Sequence, residues 1–417
     1  MLHGDCEKII ENTCFHARPD AASARQSSAF FSRRMTASPH SKVKKPSQNL
    51  PQPGQAALLR ACLCPPDEFP EHWRTWRDLE DIDHLDESSN RLLPLLYRQA
   101  EKSGLCDAEM GRLRGIYRYQ WCRNHLMLSE LRKVLAALRA ESIEVILLKG
   151  SALIQRYYGD PALRPMSDLD FMVHPDRFED ASAVLLGYGY ARRIDIQFKE
   201  IREKRLTHAV EFTRTVNGQT WEIDLHWTPL HRATWPGAHE RFWENSVVSD
   251  FKGVDCRTFD ATDQLLHVCL HGALWNALPP LRWIVDAMWI LREKQIDWLR
   301  LMDHARYLNS VQLLQMALNY LRETHDAPIP EHVMDSLNAA VPSRYESLLF
   351  RLQTSSSYEM RADQLLVLGW MNHSRAYPDM PWWRLLGSFP SYLKTASKIS
   401  RWRDFPAHMA RRLLRRS

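Results

Sequence analysis

The sequence predicts an α/β (α+β) protein in which a small mixed β-sheet core is embedded between N- and C-terminal helical regions. Three observations carry this reading. Val145-Ile146-Leu147-Leu148 is a short, wholly apolar run stopping at Lys149-Gly150, the pattern of a strand buried on both faces. Asp168 to Val173 alternates, with Leu169, Phe171 and Val173 on one face and Asp168 and Asp170 on the other. Before residue 140 and beyond residue 260, apolar residues instead recur at helical spacings of three and four.

Taken in order, residues 1–55 mix Ser, Pro, Gln, Lys and Arg and cannot bury a core, so a disordered segment is expected, with Met35 as an alternative start. Residues 56–140 read as a helical region whose last helix carries the stripe Leu128, Leu131, Leu135 and Leu138. The core is expected over 141–255. After its first strand a helix should run from Ser151 to Tyr158, ended by Gly159-Asp160-Pro161. Pro175 opens a further helix that Gly187 and Gly189 close. Strands at about 207–214 and 219–227 flank Asn217-Gly218, a strong hairpin signal. In the second strand Trp221, Ile223 and Leu225 face one way, and Glu222, Asp224 and His226 the other. Residues 256–390 form the second helical region, with helices at 263–275, 281–294, 297–308 and 310–324 and punctuation at Pro328 and Pro330. Residues 391–417 are a basic tail.

A length of 417 residues exceeds what one core comfortably serves, and 45% hydrophobic with 25% charged residues is ordinary for a globular chain. No apolar run reaches the roughly 18 residues of a membrane span. Asp5, Glu7 and Glu11 break any signal peptide, so a cytoplasmic location is expected. The eight cysteines form no CxxC pair and read as reduced, mostly buried small hydrophobes. Charge is uneven. Residues 391–417 hold eight Lys/Arg against one acid (+7), and residues 1–50 hold eight against four (+4). The body between them has 39 basic and 45 acidic residues (−6), which gives no strong nucleic-acid signal. The tail also carries Leu393, Ile399, Trp402, Phe405, Leu413 and Leu414, a composition suited to weak contact with an anionic membrane.

The chemistry lies in the core. Two aspartates at i and i+2 on one strand face, with a third from a neighbouring strand, can gather Mg2+ (or Mn2+) against phosphate oxygens. A Gly-Ser turn leading into a helix offers N–H groups and a hydroxyl to a triphosphate. This chain has Lys149-Gly150-Ser151 between strand and helix, Asp168 eighteen positions after Gly150, Asp170 beside it, and Asp224 on a later strand. Those are the parts of nucleotidyl transfer from an NTP.

The order resembles the polymerase-beta-type nucleotidyltransferase superfamily, although the spacer between Gly150 and Asp168 is longer than in its minimal members. Leu147-Leu148-Lys149-Gly150, Arg164-Pro165-Met166-Ser167-Asp168-Leu169-Asp170 and Asp224-Leu225-His226-Trp227 are more closely similar to a bacterial nucleotidyltransferase family within it. The stretches His267 to Gly272 and Leu281 to Asp286 are similar to that family's helical part, and the resemblance covers roughly residues 56 to 340. It implies Asp168, Asp170 and Asp224 as catalytic and metal-binding carboxylates, with Glu222 as the alternative third ligand. Lys149, Gly150, Ser151 and Arg164 are expected to serve the nucleotide, Ser151 as phosphate ligand or helix cap and Arg164 as phosphate contact or brace of the Asp loop. His226 is a partner of the Asp224 face. His267 and His271 read as core or supporting residues, because Val268 stands where a zinc site of the H-E-x-x-H kind needs Glu. Trp283, Trp289 and Trp298 read as core. The expected reaction moves an NMP group to an unidentified small-molecule, peptide or protein acceptor. The competing readings are a toxin-like transferase acting on RNA and a degenerate nucleotide-binding interaction protein.

Overall fold

The computed structural model describes residues 50–193, 207–231, 233–273, 280–293, 295–354, 362–396, 402–404 and 406. Most of the expected disordered segment and most of the basic tail therefore lie outside the described residues. The chain enters the sheet through helices α1 (Pro53–Leu63), α2 (Phe69–Leu79), α3 (Leu93–Ser103) and α4 (Met110–Ala140), with a single turn at Glu87–Asn90 between the second and third. At 31 residues α4 is about 46 Å long and reaches both cores of the molecule. Leu113 near its start packs in one core; Leu128, Leu131, Leu135 and Leu138 pack in the other.

Between those cores lies a seven-stranded mixed sheet. Its strands are β1 (Val145–Leu147), β2 (Leu169–Val173), β3 (Ala191–Arg192), β4 (Ala209–Val216), β5 (Gln219–His226), β6 (Val247–Asp250) and β7 (Asp255–Thr258). The order across the sheet is β3-β4-β5-β2-β1-β7-β6. β1 and β2 run antiparallel, β2 and β5 parallel, and β4 and β5 form the expected hairpin. That hairpin turns through Asn217 at φ 51° and Gly218 at φ 76°, two successive left-handed residues that match the strand twist. The edge strands β3 and β6, and β7 beside β1, were not foreseen. They are two to four residues long, too short to show a period, and in Asp255–Thr258 polar residues dominate.

Alternation divides the sheet's side chains between the cores, as the sequence predicts. Val145, Leu147, Leu169, Phe171, Val173, Ile223 and Leu225 pack against α4 and against α6 (Phe178–Gly187). Ile146, Leu148 and Met172 face the other core, formed with α1 to α3 and with the helices after the sheet. Those helices are α8 (Ala261–Gly272), α9 (Arg282–Glu293), α10 (Trp298–Tyr307), α11 (Val311–His325) and α12 (Glu331–Asn338), following the short α7 (Glu240–Glu244). Four of them start and end within about three residues of the expected bounds. The series continues through α13 (Arg344–Thr354), α14 (Ala362–Ala376) and α15 (Trp382–Ala396).

The segment after β1 departs from a plain helix. A short α5 (Lys149–Leu153) passes directly into a π turn at Ile154–Tyr158, where the sequence suggested one helix from Ser151. Of the six described cysteines, Cys62, Cys122, Cys256 and Cys269 are buried, Cys64 is half-buried and Cys106 is exposed. Trp283 is buried in the core, and Trp289 and Trp298 pack partly buried against it. Among the described residues, no helix is long and apolar enough to cross a membrane.

Candidate active site

Parallel pairing of β2 with β5 sets Asp170 opposite Asp224, so both carboxylates leave the same face of the sheet. Their neighbours Leu169, Phe171, Ile223 and Leu225 are all buried in the opposite core, which locks that orientation. Asp170 is 3% exposed and His226 is fully buried. Oδ1 of Asp170 accepts from Lys149 Nζ at 2.6 Å and lies 3.2 Å from His226 Nε2. Ligand atoms of Asp170, Asp224 and His226 all fall within 4.8 Å of one another.

The electrostatics divide the pair. Burial alone would raise the Asp170 carboxyl, but the Lys149 ammonium and the His226 hydrogen bond hold it well below the usual range. For Asp224 the same His226 and Lys149 act more weakly, and among the described residues neither is hydrogen-bonded to it. Burial and the charge of Asp170 push it up to about 6. A carboxylate held ionised by its partners thus stands beside one that is more basic than an ordinary carboxylate. Two carboxylates and an imidazole in this state fit a divalent cation. Oxygen-preferring Mg2+ or Mn2+ suits the carboxylates, while His226 Nε2 is already engaged in orienting Asp170.

Asp168 takes a different position. It lines the cleft together with Asp170, but its Oδ1 accepts from the hydroxyl of Ser167 at 3.1 Å, and it stands outside the Asp170–Asp224–His226 group. Lys149 and Gly150 also line the cleft. Lys149 adopts φ 45°, a left-handed conformation that costs a non-glycine residue about 1 kcal/mol and turns the strand sharply into α5. Gly150 is needed for a different reason: a Cβ there would meet Met166 Cγ at 2.6 Å. Ser151 stands back from the cleft. It is buried, and its hydroxyl donates to the carbonyl of Leu148 at 3.1 Å. The cap residue of α5 is Leu148, so Ser151 is not the helix cap either. Glu222 shares the Asp224 face but lies outside the metal-ligating group.

Arg164 is the brace. It grips Asp286 of α9 through Nε at 2.8 Å and Nη2 at 2.9 Å, and Tyr158 donates to the same carboxylate at 2.6 Å. All three residues are buried. Asn124 of α4 holds the same loop from the other side, donating to the carbonyls of Pro161 at 2.6 Å and Arg164 at 2.9 Å. Neither Asn124 nor Asp286 is assigned a role by the sequence. Contacts between residues some 40 and 120 positions apart have no local pattern to announce them.

Arg282 is another cleft residue that sequence reasoning left without a role. It donates to the carbonyl of Pro165 at 2.6 Å, and burial beside Arg164 pushes its pKa down to about 9. A guanidinium so disfavoured gains from any anion entering the cleft. His267 and His271 line the same wall from α8. Burial holds His267 well below its ordinary pKa, so it is neutral there. The opening is therefore acidic at Asp168 and Asp170 and basic at Lys149, Arg164 and Arg282. α9 approaches α8 closely at Gly272, where a Cβ would meet Trp283 Cβ at 2.1 Å, and this brings Arg282 and Asp286 to the cleft.

Two solved structures are similar over about half of this chain. An antigenic nucleotidyltransferase-like protein from Paracoccidioides brasiliensis aligns at 15% identity over 52% of this chain and 94% of its own, with a TM-score of 0.35. The antibiotic-resistance factor ANT(2'')-Ia, determined in solution, aligns at 12% identity over 49% of this chain and 95% of its own, with a TM-score of 0.28. No curated protein matches the chain. The sequence pattern of the uncharacterised nucleotidyltransferase family matches residues 88–326, more than half of the chain and every cleft residue described above. The chain belongs to that family and is a nucleotidyltransferase.

Proposed function

We propose that the enzyme moves an NMP group from an NTP to a hydroxyl-bearing acceptor, a small molecule or a peptide or protein side chain, in a reaction dependent on Mg2+ or Mn2+. The observation that carries this is the in-register pair Asp170 and Asp224, one held well below the usual carboxylate range and one pushed up to about 6, with Asp170 lining a cleft that also presents Asp168 and the cations Lys149, Arg164 and Arg282. Asp170 and Asp224 would hold the cation, with Asp168 at the rim. Bound there, it supplies charge neutralisation for the triphosphate and acidifies the attacking hydroxyl.

The chain's own groups account for the rest. Arg282 and Lys149 face the incoming phosphates with positive charge; Arg164, committed to Asp286, fixes the loop that carries Asp168 and Asp170. The acceptor oxygen bonds to the α-phosphorus, and the bond from that phosphorus to the bridging oxygen breaks. Pyrophosphate leaves with the electron pair. The hydroxyl proton passes to Asp224, which is ionised at neutral pH yet more basic than an ordinary carboxylate. His226 orients Asp170 throughout.

Calorimetric titration with each NTP, with and without Mg2+, tests the binding half of this reading. Pyrophosphate release across an acceptor panel, with products weighed by mass spectrometry, tests the transfer. Metal-independent NTP binding with no pyrophosphate release from any acceptor class would contradict it.

A further inference from the structure

Away from the cleft, a second set of metal-ligating side chains converges. His174 follows directly on β2 and caps the turn at Pro175–Arg177, while His239 is the cap residue of α7 and Glu240 its first residue. Ligand atoms of these three side chains all fall within 4.8 Å of one another. The elements that carry them are anchored separately. Val173, beside His174, is buried in the core shared with α4. Ala238 and Phe242, on either side of His239 and Glu240, are buried in the core of the helices after the sheet. Packing on both sides therefore fixes the positions of the three. His174 and His239 lie on elements far apart in the chain, so no ligand spacing announces them.

Geometry and donor type select the occupant. His239 Nε2 stands 3.3 Å from Glu240 Oε1. Two ligands held about 2.0–2.1 Å from one tetrahedral zinc stand about 3.3–3.4 Å apart, so this pair can share an ion as it stands. Nδ1 of His174 is turned to Asp176, 3.4 Å from its backbone nitrogen and 3.6 Å from Oδ2. That leaves Nε2 as the nitrogen His174 can give to a metal. With Nε2 so engaged the ring proton sits on Nδ1, beside the Asp176 carboxylate, the kind of outer partner that ligating imidazoles regularly have. The rings of His174 and His239 meet edge-on at 5.1 Å, and the Trp243 ring stands 6.1 Å from His174 as an apolar wall. Two imidazoles and one carboxylate suit Zn2+ and are a poor set for oxygen-preferring Mg2+. We propose that His174, His239 and Glu240 bind Zn2+, with water in the fourth position, and that the ion staples the end of β2 to α7. In a strand rising about 3.3 Å per residue, His174 stands about 13 Å beyond Asp170, so this ion is separate from one held by Asp170 and Asp224.

Zinc titration of the full-length, metal-stripped chain in excess Mg2+ tests this, with affinity read by calorimetry and bound metal counted by mass spectrometry. The parent should hold one Zn2+ that Mg2+ does not displace. Co2+ in its place should give the strong visible absorption of a tetrahedral site. His174→Ala and His239→Ala should each lower zinc affinity at least about a hundredfold, and Asp176→Asn about tenfold. Asp224→Asn, which alters the catalytic pair, should leave zinc affinity unchanged. Zinc should raise the unfolding temperature of the parent and not that of His174→Ala, with the two equally stable in zinc-free buffer. Zinc binding that survives His174→Ala, or that is lost in Asp224→Asn instead, would overturn the proposal. So would displacement of the zinc by Mg2+, or a loss of stability in His174→Ala that is the same with and without zinc.

Discussion

Asp170 and Asp224 face each other across two parallel strands, and only Asp170 has a cation of its own, Lys149 at 2.6 Å. The imbalance has a measurable consequence. Asp224 titrates near 6 in the folded chain and near 4 when unfolded, so without metal it opposes folding increasingly as pH rises from about 4, and fully above about 6. Below about pH 4 it is protonated in both states and contributes nothing. Asp224→Asn should therefore stabilise the metal-free protein by about 1–2 kcal/mol at pH 8 and change little near pH 4. Urea unfolding in EDTA at the two pH values measures this. A variant less stable than the parent at pH 8 would show that the pair is not in conflict.

The Arg164–Asp286 clamp predicts a larger effect of opposite sign. Asp286→Ala leaves a buried guanidinium and the Tyr158 hydroxyl without their acceptor. The expected loss is about 3–5 kcal/mol, whereas a surface ion pair is worth under about 1 kcal/mol. Denaturant midpoints for Asp286→Ala, set beside a control at the exposed pair Arg241–Asp303, separate the two cases.

Gly150 offers a compensation test. Its hypothetical Cβ collides with atoms of the Met166 side chain, 2.6 Å from Cγ and 2.7 Å from Sδ. Gly150→Ala should cost about 1–3 kcal/mol. Adding Met166→Ala should recover part of that loss, even though Met166→Ala alone is destabilising. Additive losses in thermal unfolding would place the strain in the backbone instead.

Arg282 should act on the nucleotide and not on the fold. It meets its neighbours through the carbonyl of Pro165, and its guanidinium is disfavoured beside Arg164. Arg282→Gln should weaken NTP binding by at least about tenfold, the scale of one charge-assisted contact, with thermal stability held or raised. Unaltered NTP affinity in calorimetry would remove Arg282 from the phosphate wall.

Much of this was legible in the chain itself, for reasons that differ by element. The buried run at 145–148, the alternation of 168–173 and the Asn217-Gly218 turn are local patterns with a fixed period or a fixed φ requirement. They gave the faces of β2 and β5, and with them the shared side of Asp170 and Asp224. β7 was not legible, because four mostly polar residues acquire strand identity only by pairing with β1 on one side and β6 on the other. Ser151 shows another limit. The Gly-Ser pair suggests a phosphate turn, but the rotamer that sends the hydroxyl back to Leu148 follows from burial beneath the cleft wall. The partners of Arg164, Asn124 and Arg282 come from distant segments, so their roles emerged only once α4 and α9 were seen to hold one loop.

The central claim is that the Asp170–Asp224 pair performs chemistry and does not serve the fold, and one comparison on the same strand tests it. Asp170→Asn preserves shape and can still accept from Lys149 and His226, whereas Leu169→Asp buries a charge among Phe171, Val173 and Ile223. Pyrophosphate release with Mg2+ and NTP should fall at least about a hundredfold in Asp170→Asn with an unchanged circular dichroism spectrum, while Leu169→Asp should lose the spectrum itself. Turnover retained by Asp170→Asn, in a protein that is folded and binds NTP, would contradict the account.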